Sequence, residues 1–286
     1  MKSWLVSISV IFSCSFAFSA TTEVESKDYS CHQEALDQIP FGYCIRHVDR
    51  SQTEDIVYFF HGLNGNEETW FTQFLGTKMI QGYWNRKGYK PTVITISFGT
   101  SWLLVNSKRI GLLPLFVNRM MPFLESQVGG IRTGRRMLIG QSMGGFNAVQ
   151  ASLQHPELFS KVALLCPALT TLGPFASEDE IAEYIRRNKA DPALIAEMLQ
   201  ITRKAFDSQE DWERHDPMKL ISQKTLTSRP RFHISIGVTD EYGFFEGSWV
   251  FTRNGFRNLF FFDWMPVIGG HCNFSRTSAS KFIMGE

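Results

Sequence analysis

Gly140-Gln141-Ser142-Met143-Gly144 sets a serine among glycines where the chain changes its period. Before it, Arg136-Met137-Leu138-Ile139 is a short apolar run with strand character. After it, Gly145 to Leu153 reads as a helix that starts with small residues. A G-x-S-x-G sequence at a strand-to-helix junction makes a sharp turn, holds the serine in strained backbone and lifts its hydroxyl above the sheet edge. The glycines are needed because side chains there would clash where strand and helix meet. Ser142 is therefore the candidate nucleophile, set against the plainer reading of a serine in a structural turn.

Such a turn needs a sheet to carry it and helices to cover it, and the rest of the chain supplies both. Apolar, β-rich runs recur at Cys44 to Val48, Asp55 to Phe60, Pro91 to Ser97, Lys161 to Leu165, Arg231 to Ile236 and Leu259 to Phe262. Asn106 to Gln127 reads as mostly helical, with Pro114 and Pro122 as interruptions. This alternation predicts an α/β protein: a mostly parallel central sheet with helices on both faces. A length of 286 residues suits one large domain. One segment, Gly173 to Ser228, holds no convincing strand and is expected to be a helical insertion. Ser177-Glu178-Asp179-Glu180 is a capping-box pattern, and Asp191-Pro192 is an N-cap followed by proline at the first helical position. Ile195, Met198, Leu199, Thr202, Ala205 and Phe206 then form one apolar face. The insertion either packs plainly on the core or caps a substrate pocket, in which case Met198 and Phe206 are the residues expected to line it.

Composition removes some function classes. The net charge is +1, and Lys2 is the only charged residue among the first 20, so the rest of the chain is neutral. That balance argues against a nucleic-acid partner. Lys2 followed by the uncharged run Trp4 to Phe18 and then small residues reads as a secretory signal over 1–20, with Ala17-Phe18-Ser19 or Ser15-Phe16-Ala17 as cleavage tripeptides. The domain would then be 21–286, with its insertion at about 173–228. The apolar run is short of the roughly 20 residues of a stable membrane span. An uncleaved anchor is one alternative. Lipidation at Cys14 is another, because Ile11-Phe12-Ser13-Cys14 loosely resembles a bacterial lipobox. The protein is expected to be secreted or periplasmic. Four cysteines remain outside this leader. Cys31 and Cys44 are the first expected pair, flanking a turn-like Ile39-Pro40-Phe41-Gly42; Cys166 and Cys272 form either a second bridge or two buried thiols. No CxxC or His/Cys cluster suggests a metal site.

Ser142 needs a base that takes its proton and returns it to the leaving group. In this order of elements the partners follow as acid and then histidine. His233 lies within a strand, His155 at a helix end and His215 in the insertion. His271, in Gly269-Gly270-His271-Cys272, lies in a glycine-rich loop after the last strand and is the candidate base. Asp240 ends Ser235-Ile236-Gly237-Val238-Thr239-Asp240 and is the candidate orienting acid, with Glu241 and Asp263 as alternatives and a helix N-cap as its plainer role. A developing oxyanion needs backbone N–H donors already in place. Met143, after the nucleophile, and Leu63, in His61-Gly62-Leu63-Asn64-Gly65, are the candidate oxyanion hole; His61 is expected to fix that loop.

These residues carry a resemblance. His61-Gly62-Leu63, Gly140 to Gly145 with Phe146-Asn147-Ala148, Asp240 and His271 together make the chain similar to the esterase D-like branch of the α/β-hydrolases. That group includes S-formylglutathione hydrolases, feruloyl-type esterases and mycolyltransferases. The likeness spans roughly residues 55 to 275. It implies Ser142 as nucleophile, Asp240 and His271 as its partners, Leu63 and Met143 as oxyanion donors, and no cofactor. Gln141 stands where many relatives have histidine, and the insertion has no counterpart in the pattern. The leader argues against a cytosolic glutathione-thioester role. The expected function is an exported serine hydrolase acting on small-molecule, lipid or saccharide esters through an acyl-enzyme. The alternatives are an acyltransferase using the same residues, amide cleavage, and a non-catalytic binding module on this fold.

Overall fold

The computed structural model describes residues 28–48, 53–73, 76–131, 133–223 and 228–286. The expected signal segment 1–20, with Cys14, lies outside the described residues. Eight strands form one sheet: β1 (Tyr29–Leu36), β2 (Ile39–Arg46), β3 (Ile56–Phe60), β4 (Thr92–Ser97), β5 (Arg136–Gln141), β6 (Lys161–Leu165), β7 (Arg231–Gly237) and β8 (Phe262–Val267). Their order is β1-β2-β4-β3-β5-β6-β7-β8. β2 pairs antiparallel with β1 and β4, and every later pairing is parallel.

The central strands are buried on both faces, so β3 and most of β6 read as continuous apolar runs, while β4 also buries Thr92, Thr95 and Ser97. Alternate residues serve two layers. Tyr58 and Phe60, Ile94 and Ile96, Val162 and Leu164 face one core; Val57 and Phe59, Val93, Ala163 and Leu165 face the other. The first core is closed by α5 (Met143–Gln154) and α10 (Phe244–Arg257), through residues such as Phe146, Val149 and Phe251. The second is closed by α1 (Thr69–Thr72), α2 (Thr77–Arg86) and α11 (Arg276–Met284), through Trp70, Trp84 and Ile283.

Two expectations are corrected and a third is refined. The first hairpin turns at Asp37 and Gln38, both at positive φ, so Ile39 to Gly42 belong to β2 and not to the turn. β8 starts at Phe262: Leu259 sits in a left-handed turn, and the strand runs on through Pro266, which an edge strand tolerates. The stretch from Asn106 to Gln127 is mostly helical and interrupted, as expected. It opens with a bridge between Asn106 and Gly111, then runs as α3 (Leu112–Leu115), a π-helical turn at Phe116–Met120 and α4 (Met121–Ser126). Pro122 follows that turn directly and has no N–H for a regular helical bond.

Between Gly173 and Ser228 the described residues form α6 (Glu178–Asn188), α7 (Pro192–Ala205), α8 (Gln209–Glu213) and α9 (Pro217–Leu220). The Ser177–Glu180 capping box is made in full, and the Asp191 side chain caps α7 at Ala193 N. Tyr184, Ala190, Ile195 and Leu199 build a small core of their own with Leu172.

Candidate functional site

The carboxyl ends of the parallel strands share one edge, where sites sit in open α/β sheets. Leu63 follows β3, Ser142 follows β5, Asp240 follows β7 and His271 follows β8. Ser142 has φ 52° and ψ −116°, a sharp break between strand and helix. Only glycine fits around it: a Cβ on Gly140 would lie 2.2 Å from Gly144 O, and one on Gly144 would lie 2.0 Å from Phe60 O. The turn is also pinned to its neighbour strand. Ser142 N donates to Leu165 O at 2.9 Å, and Ala168 N donates to Ser142 O at 2.8 Å.

Ser142 Oγ lies 2.9 Å from His271 Nε2, and His271 Nδ1 lies 2.7 Å from Asp240 Oδ2. A carboxylate only accepts, so it fixes the proton on Nδ1 and leaves Nε2 free to accept from the serine. The Asp240 side chain is fully buried, whereas His271 keeps a 21% exposed side chain. The two Asp240 oxygens have different partners: Oδ2 meets the imidazole, while Oδ1 accepts from Tyr242 N at 3.0 Å and Phe244 N at 3.3 Å, and the N-cap position of α10 is held by Gly243. Of the alternative acids, Glu241 accepts from the His271 backbone N at 2.5 Å, and Asp263 meets His233 Nδ1 at 2.7 Å. His155 closes α5, and His215 is buried beside α8, its Nδ1 donating to Asp211 O.

Leu63 and Met143 both line the pocket into which Ser142 opens. Met143 is the first residue of α5, where N–H groups have no intrahelical partner. The Leu63 loop is braced by His61, which is fully buried: Nδ1 donates to Gly62 O at 2.7 Å, and Nε2 accepts from Trp102 Nε1 at 3.0 Å. Burial lowers the His61 pKa, which keeps the ring neutral as this bonding requires.

Residues 114–252 match the model of a family described as "Putative esterase". A comparison with curated proteins finds no match. Among solved structures, the chain is similar to a ferulic acid esterase at 13% identity and TM-score 0.63, over 88% of this chain and 94% of that one. It is similar to FphF, a fluorophosphonate-binding serine hydrolase of Staphylococcus aureus, at 15% identity and TM-score 0.64, over 90% and 97%. It is also similar to an S-formylglutathione hydrolase from Agrobacterium tumefaciens at 15% identity and TM-score 0.60, over 89% and 91%. The chain has the α/β-hydrolase fold.

In this fold the pocket beside Ser142 spans about 620 Å³, open mouth included, and its exposed lining is mostly apolar. Phe146, Trp212, Tyr242 and Phe244 supply rings, and α7 contributes Met198 and Ile201. Met198 thus lines the pocket, but Phe206 does not. It is fully buried behind the wall, with its ring 5.1 Å from Trp212 and 5.4 Å from His215. Helical spacing put both on one apolar face, yet Phe206 is already the C-cap of α7, where the chain leaves the helix.

Two disulfides are present, Cys31–Cys44 and Cys166–Cys272. The first joins residues directly opposite in the β1–β2 register. The second lies beside His271, and it engages the sulfurs of a Cys166–His271–Cys272 cluster whose donor atoms fall within 4.8 Å. Bridged sulfurs offer no thiolate to a metal. Sequence reasoning missed Tyr242 and Phe244, whose rings pack 4.7 and 5.6 Å from the His271 ring, and the brace from Glu241. The run Asp240-Glu241-Tyr242-Gly243-Phe244, directly after a strand, was the signal available for both.

Proposed function

We propose that this protein is an exported serine hydrolase that cleaves carboxylic esters with an apolar acyl group through an acyl-enzyme. Ser142 attacks the ester carbonyl while His271 Nε2 takes the hydroxyl proton. Asp240 holds the ring in the accepting tautomer and stabilises its cation. The N–H groups of Leu63 and Met143 receive the oxyanion. His271 returns the proton to the departing alcohol, then activates water to free the acid. No step requires a cofactor.

The observation that carries this reading is the unbroken chain from Ser142 Oγ through His271 to Asp240, at 2.9 and 2.7 Å, opening into an apolar pocket. The match to an esterase family model and the serine-hydrolase neighbours support hydrolysis. Two disulfides, with the leader pattern, support export to an oxidising compartment. The test is a panel of p-nitrophenyl esters from acetate to palmitate, run on the wild type and on Ser142→Ala. Turnover by the wild type alone is the expected result. No turnover of any ester by the folded wild type would overturn it.

A further inference from the structure

We propose that the Cys166–Cys272 disulfide is a positioning clamp for His271, holding the imidazole loop against the Ser142 turn so that ester turnover falls when the bridge opens. This rests on the hydrolase reading above. Location is the first support. Cys272 follows His271 directly, and Cys166 is the first residue after β6. Leu165, just before Cys166, and Ala168, two residues after it, pin the nucleophile turn through Leu165 O and Ala168 N. The Cys272 sulfur lies 3.6 Å from His271 Nε2 and accepts from Gln141 Nε2 at 3.7 Å. The bridge is therefore a covalent link between the two halves of the Ser142–His271 contact.

The other ties of this loop lead elsewhere. Thr239 N donates to Gly269 O, His271 N donates to Glu241, and His271 Nδ1 meets Asp240. All three anchor the loop to the segment after β7. Toward the serine, beyond the Ser142–His271 bond itself, the described ties are the disulfide and the long Gln141 contact. Two glycines precede His271, Ile268 is 96% exposed, and the rings packed on His271, Tyr242 and Phe244, also belong to the segment after β7.

Backbone conformation is the third support. Ser142, Cys166 and Cys272 have φ of 52°, 43° and 59°. Non-glycine residues in this region are uncommon and persist where the surroundings hold them, typically at functional sites. Here both ends of the bridge share that conformation beside the nucleophile. An external dithiol opens the bridge with a balanced exchange. Its two thiols supply two protons and two electrons, the Cys166–Cys272 bond breaks to two thiols, and the reagent closes into its own cyclic disulfide. The freed loop then lets the ring drift, and a displacement of about 1 Å costs on the order of 10²-fold in rate.

The experiment compares Cys166→Ala/Cys272→Ala with Cys31→Ala/Cys44→Ala, whose bridge lies in the hairpin at the opposite edge of the sheet. Expected for the first is a kcat lower by about 10- to 100-fold with KM nearly unchanged, because ring placement affects chemistry and leaves the pocket intact. The hairpin variant should keep kcat. Treating that hairpin variant with dithiothreitol should lower kcat likewise, and re-oxidation should restore it, which decides the matter even where the double alanine variant does not fold. Unchanged kcat after opening, a change in KM alone, or a loss that merely tracks the unfolded fraction by circular dichroism would overturn the clamp. Absence of wild-type ester turnover would instead defeat the hydrolase reading itself.

Discussion

The molecule contains two histidine–aspartate pairs of the same chemistry, and they have different fates. In each, imidazole Nδ1 meets a carboxylate Oδ2 at 2.7 Å. His233 lies within β7 and is wholly buried, its ring 5.5 Å from the Phe282 ring and its Nε2 without a hydrogen-bond partner among the described residues. His271 lies in a loop past β8, keeps some exposure, and aims Nε2 at Ser142. The pair alone therefore makes no site. What differs is the second nitrogen: one faces a closed core, the other a hydroxyl held at the mouth of an apolar pocket.

Ser142→Ala breaks this comparison most severely, because it leaves His271 paired with Asp240 and facing no hydroxyl, as His233 does. The expected loss is on the order of 10⁶-fold in kcat with the fold retained; more than a few per cent of residual ester activity would remove Ser142 from the mechanism. Next is Asp240→Asn beside Asp263→Asn. The first should cost about 10⁴-fold, because the amide favours the wrong tautomer and cannot stabilise the cation. The second should leave the rate unchanged. Asparagine accepts such backbone bonds about as well as aspartate, so an active Asp240→Asn enzyme would reduce Asp240 to its bonds with Tyr242 N and Phe244 N.

A smaller effect is expected for the buried pair. Asp263→Ala strips the His233 ring of its acceptor and should cost about 1–3 kcal/mol of stability, with normal activity per folded molecule. The hydrogen bond from His233 holds the Asp263 carboxyl below its ordinary range. Its stabilisation is therefore present above roughly pH 4, the ordinary aspartate pKa, and fades as pH falls further. Denaturant titrations at neutral and acid pH should show the variant's deficit shrinking in acid; a constant deficit would contradict this. The mildest change is Met198→Ala, which enlarges the pocket wall. It should shift kcat/KM among longer acyl chains by about 10- to 100-fold, on the order of the 1–3 kcal/mol that one methylene contributes in an apolar pocket, and leave acetate nearly unaffected. Equal losses on every ester would assign Met198 to the core.

Much of this was readable in the residues, and what escaped has physical causes. β3 and β6 are buried on both faces and stand out as apolar runs, and β4 and β7 stand out by their β-branched and aromatic residues. β1, Tyr-Ser-Cys-His-Gln-Glu-Ala-Leu, is a largely exposed edge strand held by its hairpin partner and the Cys31–Cys44 bridge, and it carries no apolar pattern. Leu259-Phe260-Phe261-Phe262 has strand-like composition but follows a helix end, where Leu259 turns the chain. In the site, Ser142 announces itself by its glycines, while Asp240 and His271 follow from positions past strand ends. The packing of Tyr242 and Phe244 on His271, and the choice between a bridge and two thiols at Cys166 and Cys272, depend on how separate loops meet in space. Local spacing does not encode that.

The most direct test of the central claim, that Ser142 is the activated nucleophile and His271 its base, is labelling of the intact protein with a fluorophosphonate, followed by peptide mapping. The expected result is one adduct, on Ser142, formed quickly in the wild type and in His233→Gln, slowly in His271→Gln and not at all in Ser142→Ala. Labelling at another residue, or none in the folded wild type, would contradict it.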